Sequence, residues 1–240
     1  MHTGGHILDS FNDSLTEFKS TTLMMGSAAL RNLDNSIRGL IERDKTLCNQ
    51  AIAADDDEDL LELEVDRQGM AIMLKYRPVA SDLRLVIATM KISSNFESAS
   101  DLAVSIAKRS RKIIKGQEIP RVTAIEPLYE LVSTMLKNAV TAYSDLDLNQ
   151  AIALINQEEE VHKMHKKISR KFSREVENEC PEYREYLNIL FICRWLERIG
   201  ELAIDIAEEV VFAASSEDIR HSDDIPSSVL EAAANQTNQA

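Results

Sequence analysis

Apolar residues recur at three- and four-residue steps along most of this chain, the period of helices that bury one face. Between about Leu8 and Glu42 the series is Phe11, Leu15, Phe18, Met25, Ala29, Leu33, Ile37 and Leu40, which predicts a first long helix. Asp44 is a suitable N-cap for a second helix reaching about Tyr76. Pro78 then forces a turn, because it lacks a donor and restricts Arg77. A third helix is expected from about Val79 to Lys115, stopped by Gly116. The same period predicts a fourth from Val122 to Ser144, a fifth from Asp147 to just before Pro181, and a sixth from Glu182 to Ala214. Beyond Ser215 the chain turns polar, and fraying is expected from Asn235 onward.

The pattern is written twice. Asn49-Gln50-Ala51-Ile52-Ala53 recurs as Asn149-Gln150-Ala151-Ile152-Ala153, one hundred residues on. At the same offset, Glu97, Asp101, Leu102 and Ala103 match Glu197, Glu201, Leu202 and Ala203, and Ile106-Ala107 matches Ile206-Ala207. Each half therefore reads helix, helix, helix, and short connections make consecutive helices antiparallel neighbours. The expected fold is all-α: two tandem antiparallel three-helix bundles over 6–117 and 118–216, then a polar tail over 217–240. Two copies are too few for an extended solenoid.

Composition narrows the function classes. A formal charge of −13 argues against duplex DNA or RNA as the main ligand, since phosphate contacts need clustered cations. Local basic clusters at 108–112 and at Lys163, Lys166, Lys167, Arg170, Lys171 and Arg174 read as solvated helix faces or as a partner surface. Cys48, Cys180 and Cys193 show no CxxC spacing, so neither a zinc site nor a disulfide framework is signalled, which suits a reducing cytoplasm. No apolar run approaches the ~18 residues of a membrane span, and no secretory signal is visible.

The chemistry lies in the acids. Residues four apart on a helix share a face, about 6 Å along it. Glu97 and Asp101 form such a pair, as do Glu197 and Glu201, with Asp205 one turn further. Glu62 and Asp66 make another pair, preceded by the run Asp55-Asp56-Asp57-Glu58-Asp59. Like charges at this spacing destabilise a bare helix by a few tenths of a kcal/mol each, and a bound cation reverses the sign. Carboxylate oxygens suit magnesium, manganese or iron; the plainer reading is a solvated acidic face. The acids lie off the apolar stripes Ile92, Phe96, Ala99, Ala103, Ile106 and Ile192, Leu196, Ile199, Ala203, Ile206. They are therefore expected to face outward or into a groove, making any metal site shallow. In the second half His162 replaces Glu62, Lys166 replaces Asp66, and Glu158 lies one turn before His162. His162 and His165 equally fit exposed helix positions. Glu159 to His162 fits the Glu-x-x-His element of di-iron bundles, but no second copy exists. Trp195 reads as packing. No phosphate-cradling loop, zincin motif or nucleophile elbow is present.

Arg77-Pro78-Val79-Ala80-Ser81-Asp82-Leu83-Arg84 resembles the RQPxASDLR signature of the PhoU family of phosphate transport regulators. Leu196-Glu197-Arg198-Ile199-Gly200-Glu201 resembles that family's repeated LERIGD motif. His6-Ile7, Phe11-Asn12 and Ile219-Arg220-His221 extend the likeness over about residues 6–222. The resemblance implies two three-helix bundles and metal ions (iron, zinc, manganese or magnesium) held by Glu/Asp-x-x-x-Asp motifs. On this chain those positions are Glu62, Asp66, Glu97 and Asp101 in the first half, and Glu158, His162, Glu197 and Glu201 in the second. It further implies a cytoplasmic, non-enzymatic negative regulator that links a phosphate ABC transporter to a phosphate-sensing histidine kinase, and a homodimer. The first motif has become Glu97-Ser98-Ala99-Ser100-Asp101, which keeps only the acids, and the second ends in Glu201 in place of Asp. Read from the acids alone, a metal-storage bundle or a metalloenzyme remains the alternative.

Overall fold

The structure, a computed structural model, describes residues 3–116, 118–177, 182–220, 222 and 224–237. Cys180, His221 and the side chain of His6 lie outside the described residues. Nine α-helices and no strand occur among those described. The first half comprises α1 (Thr3–Ile41), α2 (Lys45–Ala53), α3 (Asp55–Tyr76) and α4 (Ala80–Lys115). A 3-10 turn (Val122–Ile125) leads into the second half: α5 (Glu126–Asp145), α6 (Leu148–Ile155), α7 (Glu158–Glu177) and α8 (Tyr183–Ser215). A last helix, α9, spans Ser227–Thr237.

The apolar stripes are core, as their period predicts. Ile92, Phe96, Ala99, Ala103 and Ile106 are buried on α4, and Ile192, Leu196, Ile199, Ala203 and Ile206 on α8. The first-helix series is buried from Phe18 to Leu40. Each fully buried aromatic or large aliphatic side chain contributes roughly 1.5–3 kcal/mol. The two bundles share one core, because α4 packs along α8 and α1 along α5. At the α1–α5 approach a Cβ on Gly26 would lie 2.8 Å from Val140 and 2.9 Å from Phe96. Polar bonds also cross between the halves: Tyr129 donates to Asp34 at 2.7 Å, and buried Tyr143 bonds Thr89 at 3.1 Å. The second and fifth helices are interrupted where the sequence predicted continuous ones. α2 gives way to α3 at Ala54, and α6 to α7 at Asn156-Gln157. Four acids (Asp55 to Glu58) open α3 and three (Glu158 to Glu160) open α7. A fresh helix start places these charges against the positive end of the helix dipole. Asp44 and Asp147 cap the short helices before the breaks, accepting from Thr46 N at 2.6 Å and Gln150 N at 3.1 Å.

The polar stretch after Ser215 contains a helix that its composition did not predict. α9 packs on α6 and buries Val229 and Ala233. Gln236 accepts from Leu148 N and donates to Leu146 O, both at 3.0 Å, and Asn149 donates to Ala233 O at 3.1 Å. These bonds hold the chain helical through Thr237, past the expected fraying point.

Candidate metal centre

In the first half α3 lies against α4. The carboxylate oxygens of Asp59, Glu97 and Asp101 come within 4.8 Å of one another. Glu97 is half-buried, and Asp59 and Asp101 are exposed, so the cluster opens to solvent. Burial pushes the Glu97 carboxyl up to about 7, and the charges of Asp101 and Glu62 push the same way. Asp101 is raised too, first by burial and then by Asp55. Behind them Glu58 is buried and raised to about 8, mainly by burial; Arg31 pulls the other way and Glu97 adds to the rise. Neither Glu58 oxygen has a partner in hydrogen-bond geometry, though the Ser100 hydroxyl is near enough to lower the pKa somewhat. Burial and mutual repulsion hold these acids up, and a bound cation would offset both. An all-oxygen donor set of this kind fits a hard cation such as magnesium, manganese or iron.

Of the four first-half residues singled out by sequence, Glu97 and Asp101 join the three-residue cluster. Glu62 acts on Glu97 through its charge, and Asp66 lies a turn beyond it on α3. Asp59 takes the third place, although its sequence setting is only an acidic run. A signal for it does exist: Asp55, Asp59, Glu62 and Asp66 are spaced four, three and four, one row on a helix.

The second half is built differently. Glu158, His162, Glu197 and Glu201 line one cavity of about 320 Å³ between α7 and α8. Glu197, however, is not outward-facing: it is 1% exposed. Nδ1 of His162 donates to one of its oxygens at 2.9 Å, and Nδ1 of His165 lies 3.0 Å from the other. Arg194 donates to Glu197 as well. Helical phase alone places Glu197 off the stripe, but α7 closes over that flank of α8, with Val161 against Gly200. His165 is half-buried, not exposed, and burial lowers its pKa; Glu197 opposes that and Arg194 reinforces it. Glu201 bonds Arg198 at 2.9 Å, and Asp205 lies 3.6 Å from the same guanidinium. Below them Glu208, unmarked by sequence reading, is raised to about 7 by burial, then by Asp205 and Glu158. The oxygens of Glu197 are thus already committed to three basic side chains, and this half does not fit a hard cation.

The other singled-out residues are structural. Arg109, from the first basic cluster, is not simply solvated. It lies over Phe191 and Trp195, 4.1 and 5.3 Å from the ring centroids, and donates to Asn188 at 2.6 Å. Cys48 and Cys193 are buried and unpaired, their thiols pushed up by burial to about 11 and about 12.

A duplicated helical bundle whose halves share one core, with a carboxylate cluster between two helices of one copy, defines a class: tandem helical-bundle proteins. The PhoU domain matches residues 22–110 and again 125–210, and the chain belongs to the PhoU family. It is 32% identical over 211 residues to the phosphate-specific transport system accessory protein PhoU homolog of Zymomonas mobilis, covering 88% of this chain and 89% of that one. The Serratia marcescens accessory protein PhoU is 29% identical over 216 residues, 90% of this chain and 89% of that one. The crystal structure of PhoU from Pseudomonas aeruginosa superposes with a TM-score of 0.83 at 27% identity, covering 86% of this chain and all of that one. Among the described residues no helix is long and apolar enough to cross a membrane.

Proposed function

We propose that the chain is a cytoplasmic, non-enzymatic negative regulator of phosphate uptake and phosphate-starvation signalling. It acts by docking to components of a phosphate ABC transporter and to a phosphate-sensing histidine kinase, as a homodimer. The observation that carries this reading is the near full-length likeness, in sequence and in fold, to accessory proteins of the phosphate-specific transport system. Surface plasmon resonance against the purified transporter ATPase subunit and the cytoplasmic part of the kinase tests it. Saturable binding to either supports the reading; binding to neither opposes it.

The same reading gives the first half a metal ion on Asp59, Glu97 and Asp101, with Glu62 and Asp66 alongside. Charge supports this, because burial and neighbouring acids raise the carboxyls of Glu97 and Asp101, and a bound cation would offset both effects. The ion would tie α3 to α4 and set the shape of the outer face. In the second half Glu158, His162, Glu197 and Glu201 form a polar cluster in which Glu197 is engaged by His162, His165 and Arg194, and Glu201 by Arg198.

A further inference from the structure

A further cavity, outside the two clusters described above, is lined by residues of both signs. It is an open groove of about 1070 Å³ between α7 and the segment comprising the 3-10 turn and α5. Lys163, Lys167 and Lys171 line it from α7, four residues apart, with Glu159 and Glu160 at the start of the same helix, and Glu126 and Glu130 line it from α5. Ala124, Met164 and Ile168 supply apolar surface between these charged rows.

The lysines belong to a larger anomaly. Residues 163–174 hold six cations and no acid, in a chain of net charge −13. All six are exposed. Lys163 pairs with Glu159 at 2.7 Å, while Lys166, Lys167, Arg170, Lys171 and Arg174 make no ion pair among the described residues. Like charges three and four residues apart weaken the helix by a few tenths of a kcal/mol each. An acidic ligand laid along α7 reverses that sign.

We propose that this groove docks an amphipathic helix of a partner protein, with an apolar stripe flanked on one side by acids. The stripe covers Ala124, Met164 and Ile168, and acids one turn apart meet Lys163, Lys167 and Lys171 over about 12 Å. A groove between two helices is spaced to receive a third. A flat bilayer reaches the lysines but not the apolar floor between the walls. Nucleic acid would meet Glu126 and Glu130 with its phosphates. The proposal rests on the docking function above and assigns it a surface.

A displayed library of amphipathic helices, panned on the whole protein and counter-selected on the triple variant Lys163→Glu, Lys167→Glu, Lys171→Glu, tests it. The expected winners carry an acid row beside an apolar row. A synthetic winner loses about tenfold or more in affinity to the triple variant and to Met164→Asp, and the Lys→Gln triple, which adds no acid, shows a partial loss. Winners without an acid row, or equal binding to all these proteins, overturn the proposal. So does lysine-dependent binding of phosphatidylglycerol vesicles, or lysine-dependent self-association, where no helix discriminates. If the triple variant still restores phosphate control to a deletion strain, the groove is refuted while the regulatory reading stands.

Discussion

Glu97 and Glu197 stand one hundred residues apart at equivalent positions of the repeat and meet opposite surroundings. Glu97 lies beside Asp59 and Asp101, with a carboxyl raised to about 7. Glu197 is buried under His162, His165 and Arg194. One position in one fold thus lies among acids in the first half and among basic side chains in the second. Metal chemistry should divide accordingly.

Replacing Glu97 and Asp101 with Ala removes two of the three clustered donors. Changes beyond the ligand shell already weaken metal sites by roughly 10–100-fold, so the double variant should lose bound metal by elemental analysis. Its helicity should stay near wild type, because the core stripe of α4 is untouched. The matching pair Glu197→Ala, Glu201→Ala should leave metal content unchanged but lower stability, by stranding His162, His165 and Arg194 around an empty position.

Stability should fall as pH rises in the metal-free protein. Glu58, Glu97 and Glu208 have folded pKa values of about 8, 7 and 7, above the ordinary 4.5. A raised carboxyl holds its proton more tightly when folded, so it weakens the fold progressively above the unfolded value and fully above the folded one. His165, lowered by burial, acts oppositely as pH drops below 6.5, but it is outnumbered, since Asp101 and Asp205 are raised as well. Thermal melts in chelator should therefore decline between about pH 5 and 8, and added divalent metal should flatten the decline. A melting temperature that climbs across this range without metal would contradict the charge argument.

Two glycine substitutions should differ. A Cβ at Gly26 meets Val140 and Phe96 below 3.0 Å, a branched methyl and a ring locked in the shared core. Overpacking of this kind costs about 1–3 kcal/mol. At Gly69 the nearest atom, at 2.8 Å, is the sulfur of half-buried Met90, which can swing aside. Denaturant melts should show Gly26→Ala clearly destabilised and Gly69→Ala close to neutral.

Removing Arg194 isolates one element of the second-half cluster. Its charge lowers the His165 pKa, while Glu197 raises it. Arg194→Ala should move the His165 titration upward in an NMR pH series. An unmoved titration would show that the guanidinium does not act on the histidine.

Much of this architecture is legible in the sequence, because a helical stripe and its burial follow from one periodicity. The stripes of α4 and α8 are buried where the pattern places them. Helical phase gives direction relative to one's own helix only, and so it mislays Glu197, which α7 covers from outside. His165 and Arg194 reach Glu197 from α7 and from one turn back on α8, a meeting that hundred-residue spacing does not encode. Asp59 joins the cluster through the packing of α3 on α4, although its spacing from Glu62 and Asp66 is visible beforehand. α9 escapes notice because its burial is confined to Val229 and Ala233, with side-chain amides supplying the rest of its hold on α6.

The regulatory account is tested most directly by phosphate-responsive transcription in a strain lacking the gene, grown with ample phosphate. The account predicts that starvation genes switch on and phosphate uptake rises, and that the wild-type chain restores both to normal. Unchanged transcription and uptake in the deletion strain would contradict it.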